Sequence, residues 1–225
     1  MDFERARFNM IEQQIRPCDV LDRDVLALLD VVKREQFVPA AYRGLAFADL
    51  ELPLTEPAVT QQAPNRTMLA PKIDARILQE LAPRSHENVL EVGTGSGYMA
   101  ALLAHRANKV TTVEIDAELA ARARANLSTA GIVNVDVVEG NGIYGWLPAA
   151  PYDVICVSGG VPLLPPSLID QLKIGGRLTA FVGTGPVMVA QLVTRVSATE
   201  LRTENLFETQ IAELDCAPQL ERFVF

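Results

Sequence analysis

The run V-L-E-V-G-T-G-S-G-Y from Val89 to Tyr98 restricts this chain more than any other stretch. Val89, Leu90 and Val92 form a short apolar run suited to a buried strand, and an apolar helical pattern follows from Met99 to Ala107. Between them Gly93, Thr94, Gly95, Ser96 and Gly97 must turn the chain tightly. Glycine suits such a turn because it accepts backbone angles that a Cβ disfavours. A ligand can then lie against the main chain, where a helix N-terminus offers free N–H groups. Strand, glycine turn and helix start in this order predict an α/β sheet with a ligand at its carboxyl edge.

The spacing narrows the ligand. A dinucleotide-binding loop places its third glycine three residues after the second; here that position is Tyr98, which disfavours NAD. A second apolar strand, Val110 to Val113, ends in Glu114, 17 residues beyond Gly97, where a carboxylate can accept from both hydroxyls of a ribose. Glu91, two residues before the first glycine, would repel a pyrophosphate but suits the ammonium and sulfonium of S-adenosylmethionine. A nucleoside-bearing methyl donor is therefore expected, with Glu91, the turn from Gly93 to Gly97 and Glu114 around it.

Of the 225 residues 49% are hydrophobic, enough for a substantial core in one globular unit. A formal charge of −8 with no Lys/Arg run argues against a nucleic-acid partner or an acidic membrane surface. Cys18, Cys156 and Cys216 are odd in number and lack metal-ligand spacing, which predicts reduced thiols, a cytoplasmic location and no metal site. The N-terminal M-D-F-E-R-A-R-F has charges where a signal peptide needs apolar residues, and no apolar run approaches the ~20 residues of a membrane span.

Phe8, Ile11 and Ile15 share a helical face in the first segment, and Asp22 can cap a second helix that Phe37-Val38-Pro39 ends. Leu50 to Gln62 is loop-like and forms a candidate lid, and Pro71 suits the first turn of a helix ending before Pro83. Asp116 can cap a helix to about Ala130 with a Glu118 to Arg122 pair, and Gly131 precedes a strand from Val133 to Val138. Gly140-Asn141-Gly142 and Ser158-Gly159-Gly160, the latter after the strand Tyr152 to Val157, fall on the ligand edge of such a sheet. Pro165-Pro166 opens a helix to Leu172, Arg177 to Val182 is a fifth strand, and Val187 to Val196 with Asn205 to Leu214 read as a terminal hairpin.

With these pieces placed, the chain resembles the protein-L-isoaspartate O-methyltransferases nearly end to end. The resemblance is carried by M-I-E-Q-Q-I, V-V-K-R-E-Q-F-V-P, L-E-V-G-T-G-S-G-Y, A-P-Y-D-V-I-C-V and L-I-D-Q-L-K-I-G-G-R-L. It implies one Rossmann-like S-adenosylmethionine-dependent methyltransferase domain over 1–225, with a mostly parallel seven-stranded sheet. A helical cover and lid loop would span 1–83, the nucleotide-binding core 84–183 and the C-terminal antiparallel hairpin 184–225. It also implies methyl transfer to an isoaspartyl carboxylate in damaged proteins. In the cofactor site Glu114 would hold the ribose, Tyr98 would line the loop, and Asn141, beside Gly142, would meet the adenine amino group where the family usually has aspartate. Such a carboxylate is already ionised near pH 7, so no catalytic histidine is needed, and His86 and His105 are read as surface residues.

The acceptor loop departs from the family. The family pattern PIG-x-GQTISQP corresponds here to P-L-T-E-P-A-V-T-Q-Q-A-P-N-R-T-M-L-A-P. Thr67, Met68 and Pro71 match threonine, isoleucine and proline, while the active-site serine falls on Leu69. Thr60 or Thr67 is the expected substitute hydroxyl, and Met68, Leu69, Pro71 and Glu213 would form the acceptor pocket. A carboxylate at Glu213 pointing inward, roughly 4 Å from the acceptor at an effective dielectric near 20, would repel it by ~4 kcal/mol. The sequence therefore leaves two alternatives to the isoaspartyl acceptor. One is another acceptor, such as a small molecule, in a more apolar pocket; the other is binding of S-adenosylmethionine or S-adenosylhomocysteine without turnover. Oligomeric state is not encoded in any of these features.

Overall fold

Asp2 and Asp22 open the first two helices in the same way. The Asp2 carboxylate accepts from the Arg5 N–H, and that of Asp22 from Asp24 and Val25. The structure, a computed structural model, describes residues 2–55 and 66–219. Helix α1 (Phe3–Met10) runs into a π-helical turn, Ile11–Ile15, and α2 (Arg23–Val31) follows. A short antiparallel ribbon of β1 (Leu52–Pro53) and β2 (Thr67–Met68) precedes α3 (Pro71–Leu81), which begins on Pro71, where a missing N–H breaks no helical bond.

The sheet then builds from β3 (Asn88–Val92), β4 (Lys109–Glu114), β5 (Val135–Glu139), β6 (Tyr152–Val161), β7 (Leu172–Thr184), β8 (Val187–Arg195) and β9 (Leu201–Thr209). Their order is β5-β4-β3-β6-β7-β8-β9; the first five are parallel and the last two antiparallel. This is the mostly parallel, Rossmann-like α/β sheet that the sequence predicts. Helices α4 (Tyr98–Ala104), α5 (Ala117–Thr129) and α6 (Pro166–Asp170) connect the parallel strands. Val89, Leu90, Val92, Val110, Val154, Ile155 and Val157 are all buried, as strands covered on both faces require.

The R-E-Q-F-V-P element ties the parts of the helical cover to one another. Arg34 donates to Asp74 Oδ2 at 2.8 Å, to the Leu69 carbonyl at 2.6 Å and to the Ala46 carbonyl at 3.1 Å, while Arg7 holds Glu35. Burial raises the Asp74 carboxyl to about 7, against the opposing pull of the Arg34 guanidinium.

Local differences from the sequence reading have identifiable causes. Phe8 is exposed, because the π-helical turn carries the inward face through Met10, Ile11 and Ile15 instead. Helix α2 stops at Val31, where Val32 turns extended, rather than continuing to Phe37. Arg122 donates to the Leu54 carbonyl, tying the β1 arm to α5, rather than pairing with Glu118. Strand β6 continues through Ser158-Gly159-Gly160, and Leu172 already belongs to β7. Strand β9 starts at Leu201, because the turn from Arg195 is short and Ser197 Oγ accepts from the N–H groups of Thr199 and Glu200. Residues 211–214 therefore lie outside the hairpin, and Glu213 bridges Gly160 in parallel. Among the described residues no helix is long and apolar enough to cross a membrane.

Candidate active site

The strand order reverses between β3 and β6, which opens a crevice outside the carboxyl ends of the strands. A cleft lies there. Its floor is formed by Val92 at the end of β3 and Gly93 after it, Val113 and Glu114 on β4, residues 141–143 after β5, and Ser158 and Gly159 on β6. Leu54, Arg66 and Thr67 close one side, and residues 211–215 the other.

Glu114 is the anchor of this floor. Its Oε2 accepts from the Gly95 N–H at 2.8 Å and its Oε1 from the Asp116 N–H at 3.1 Å. Two fixed carboxylate oxygens with lone pairs to spare suit a vicinal diol. Gly93 has φ +89°, and a Cβ there would stand 2.9 Å from Leu214 Cδ2, so the bare backbone is what faces the cleft. Gly97, at φ +84°, serves packing instead: a Cβ would come 3.3 Å from Leu127 and 3.4 Å from Ala123 on α5. Asn141 is on the cleft wall and holds its own turn, its Oδ1 accepting from the Ile143 N–H at 3.0 Å. The same oxygen keeps a second lone pair that can accept from a ligand amino group. Gly142 beside it packs its backbone on Val113 and Val92.

Glu91, expected to offer charge to the ligand, is fully buried behind the cleft wall. Thr112 Oγ1 lies 2.6 Å from Oε2 and Ser158 Oγ 3.0 Å from Oε1. Burial pushes the Glu91 carboxyl up to about 8, outweighing these hydroxyls, and Asp74 and Glu114 push the same way. Near pH 7 it is mostly protonated, so it positions Ser158 rather than facing a cation. Thr94 is turned inward as well, its Oγ1 2.6 Å from Thr112 Oγ1. The Ser96 hydroxyl accepts from the Tyr98 N–H at 3.3 Å, while its carbonyl accepts from Asn126. Tyr98 does not line the turn. It packs edge-on to Phe37 at 5.5 Å, with the Arg34 guanidinium 5.0 Å from its ring, under the helical cover. Thr94, Ser96, Gly97 and Tyr98 therefore shape the turn without reaching the cleft.

The acceptor-side residues divide. Met68, Leu69 and Pro71 are buried in the core and absent from the cleft wall; the Leu69 carbonyl is spent on Arg34. Thr67 is on the wall, but its hydroxyl donates to Glu51 Oε2 at 2.6 Å, which leaves it no proton for an incoming carboxylate. Thr60 lies outside the described residues. Glu213 is on the wall and exposed. Leu214 lies against Gly159, where a Cβ would come within 2.5 Å of its Cδ2.

Sequence reasoning missed Arg66 and Asp215. Arg66 reaches across the cleft mouth, pairing with Asp116 and, at 2.8 Å, with Asp215. A signal for Arg66 existed, since it stands where the family loop has the glutamine before its threonine. Its partners, 50 and 149 residues away, carried none.

Comparisons with known proteins give the family. The family profile described as protein-L-isoaspartate(D-aspartate) O-methyltransferase (PCMT) matches residues 5–212. The chain is 45% identical over 179 residues to a protein-L-isoaspartate O-methyltransferase of Methanoculleus marisnigri, covering 80% of this chain and 78% of that one. It is 42% identical over 214 residues to protein-L-isoaspartate O-methyltransferase 1 of Rhodopseudomonas palustris, covering 94% and 84%. A solved protein-L-isoaspartate O-methyltransferase superposes with a TM-score of 0.77 at 26% identity over 92% of this chain, which spans 65% of that longer one. With this sheet and a profile match over nearly its whole length, the chain belongs to the protein-L-isoaspartate(D-aspartate) O-methyltransferase family.

Proposed function

We propose that this protein transfers a methyl group from S-adenosylmethionine to the side-chain carboxylate of isoaspartyl residues in damaged proteins. The observation that carries the donor side is Glu114, whose two oxygens are each fixed by a backbone N–H at the crevice where the strand order reverses. Glu114 would hold the ribose, the Gly93 backbone would meet the amino-acid end, and Asn141 the adenine. When bound, S-adenosylmethionine supplies a methyl group on sulfonium, which a carboxylate oxygen accepts as the C–S electron pair returns to sulfur. The acceptor is ionised near pH 7, so the chain need supply no general base, and His86 and His105 are exposed and away from the cleft wall. The work left to these residues is to place the acceptor and keep water out.

The test is a pair of measurements on one preparation: calorimetric titration with S-adenosylhomocysteine, then methanol release from an isoaspartyl peptide with labelled donor. Binding together with release is expected. Binding without release from that peptide would refute the acceptor assignment, and no binding would refute the donor site.

A further inference from the structure

We infer that Arg66 is the residue that captures the acceptor carboxylate, and that Asp215 occupies that place until the acceptor arrives. The inference rests on the isoaspartyl reading above and identifies how this chain performs it without the family's serine. Among the described residues on the cleft wall, the acidic side chains are Glu114, Glu213 and Asp215 and the one basic side chain is Arg66. The one cation an anionic acceptor meets on this wall is that guanidinium, and it reaches it by taking the place of a carboxylate already there.

Of the hydroxyls expected to receive the acceptor, Thr60 lies outside the described residues and Thr67 does not serve. The position of the family serine, Leu69, is in the core, and the Thr67 proton is given to Glu51. Arg66 uses two of its five N–H donors, one on Asp116 and one on Asp215. The two partners differ. Asp116 is the N-cap of α5, held by the N–H groups of Glu118 and Leu119, and is 23% exposed. Asp215 is 41% exposed and follows directly on the segment that lines the acceptor side. Asp116 thus anchors the guanidinium, and Asp215 is the partner a second carboxylate can replace. Held at Asp116, the guanidinium offers the N–H given up by Asp215 to one oxygen of that carboxylate. One oxygen is oriented there and the other is left to take the methyl group.

The experiment compares binding of an isoaspartyl peptide and its isoasparaginyl amide to the protein loaded with S-adenosylhomocysteine, alongside KM and kcat for the isoaspartyl peptide. Wild type is expected to prefer the carboxylate. Arg66→Gln, which restores the family residue, should cut that preference at least 10-fold and raise KM more than it lowers kcat. Arg66→Lys should recover part of the preference, and Asp215→Asn should lower KM about threefold or more. A merely structural clasp would weaken both peptides equally, so an unchanged carboxylate-to-amide ratio in Arg66→Gln overturns the inference. So does a rise in KM for Asp215→Asn. If wild type neither methylates the peptide nor prefers the carboxylate, the isoaspartyl reading itself falls, and the inference with it.

Discussion

Replacing Glu91 by glutamine separates a buried neutral acid from a ligand-facing charge. In the folded protein Glu91 holds its proton to about pH 8, because burial outweighs the hydroxyls of Thr112 and Ser158; its ordinary value is 4.5. Between these values the folded state binds a proton that the unfolded chain has released, so stability falls as pH rises from about 4.5 to about 8 and levels off above. Over roughly 3.5 pH units, at ~1.4 kcal/mol each, the fall attributable to this residue is about 5 kcal/mol. Glutamine cannot ionise, yet it keeps an acceptor for Thr112 and a donor for Ser158. Reversible urea unfolding of both proteins from pH 5 to pH 9 measures the difference. Glu91→Gln should match wild type within about 1 kcal/mol at pH 5 and exceed it by about 4–5 kcal/mol at pH 9. Other titrating groups cancel in the comparison unless they couple to Glu91. Parallel stability curves would refute the buried proton. The calorimetric ratio of S-adenosylmethionine to S-adenosylhomocysteine affinity at pH 6 should also be unchanged within about threefold, since a neutral Glu91 cannot favour the sulfonium.

Four further perturbations follow from the same contacts. Glu114→Ala should raise the S-adenosylhomocysteine Kd at least ~30-fold, about 2 kcal/mol, in a calorimetric titration. Arg34→Ala leaves Asp74 and two buried carbonyls without their donor and should cost about 3–5 kcal/mol in urea unfolding. Leu69→Ser should cost about 2–4 kcal/mol in the same assay and not raise methanol release, because that side chain is in the core. Gly159→Ala forces Leu214 aside and should cost about 1–3 kcal/mol in urea unfolding and raise the peptide KM, with Leu214→Ala in the same chain relieving both.

Local chemistry determined much of this protein. The Asp22 and Asp116 caps, the Pro71 helix start, the glycine turn and Glu114 at the end of β4 each depend on residues within a few positions of one another, and the structure places them as the sequence predicts. The alternation of apolar runs with helical patterns was enough for an α/β sheet, and the family motifs implied its Rossmann-like, seven-stranded form. What the sequence could not assign was the direction of side chains on strands buried on both faces. Such strands have no apolar alternation, so Glu91 read as a ligand contact when it is a buried acid. Tyr98 failed for a related reason: its neighbours Phe37 and Arg34 come from the cover, about 60 residues earlier in the chain. One short turn set the register of β9 and so moved residues 211–214 from hairpin to cleft wall. The mouth of the cleft is the clearest case. Arg66, Asp116 and Asp215 are unremarkable apart, and only the fold brings two carboxylates to one guanidinium, because electrostatic attraction acts across space and leaves no period or spacing in the chain.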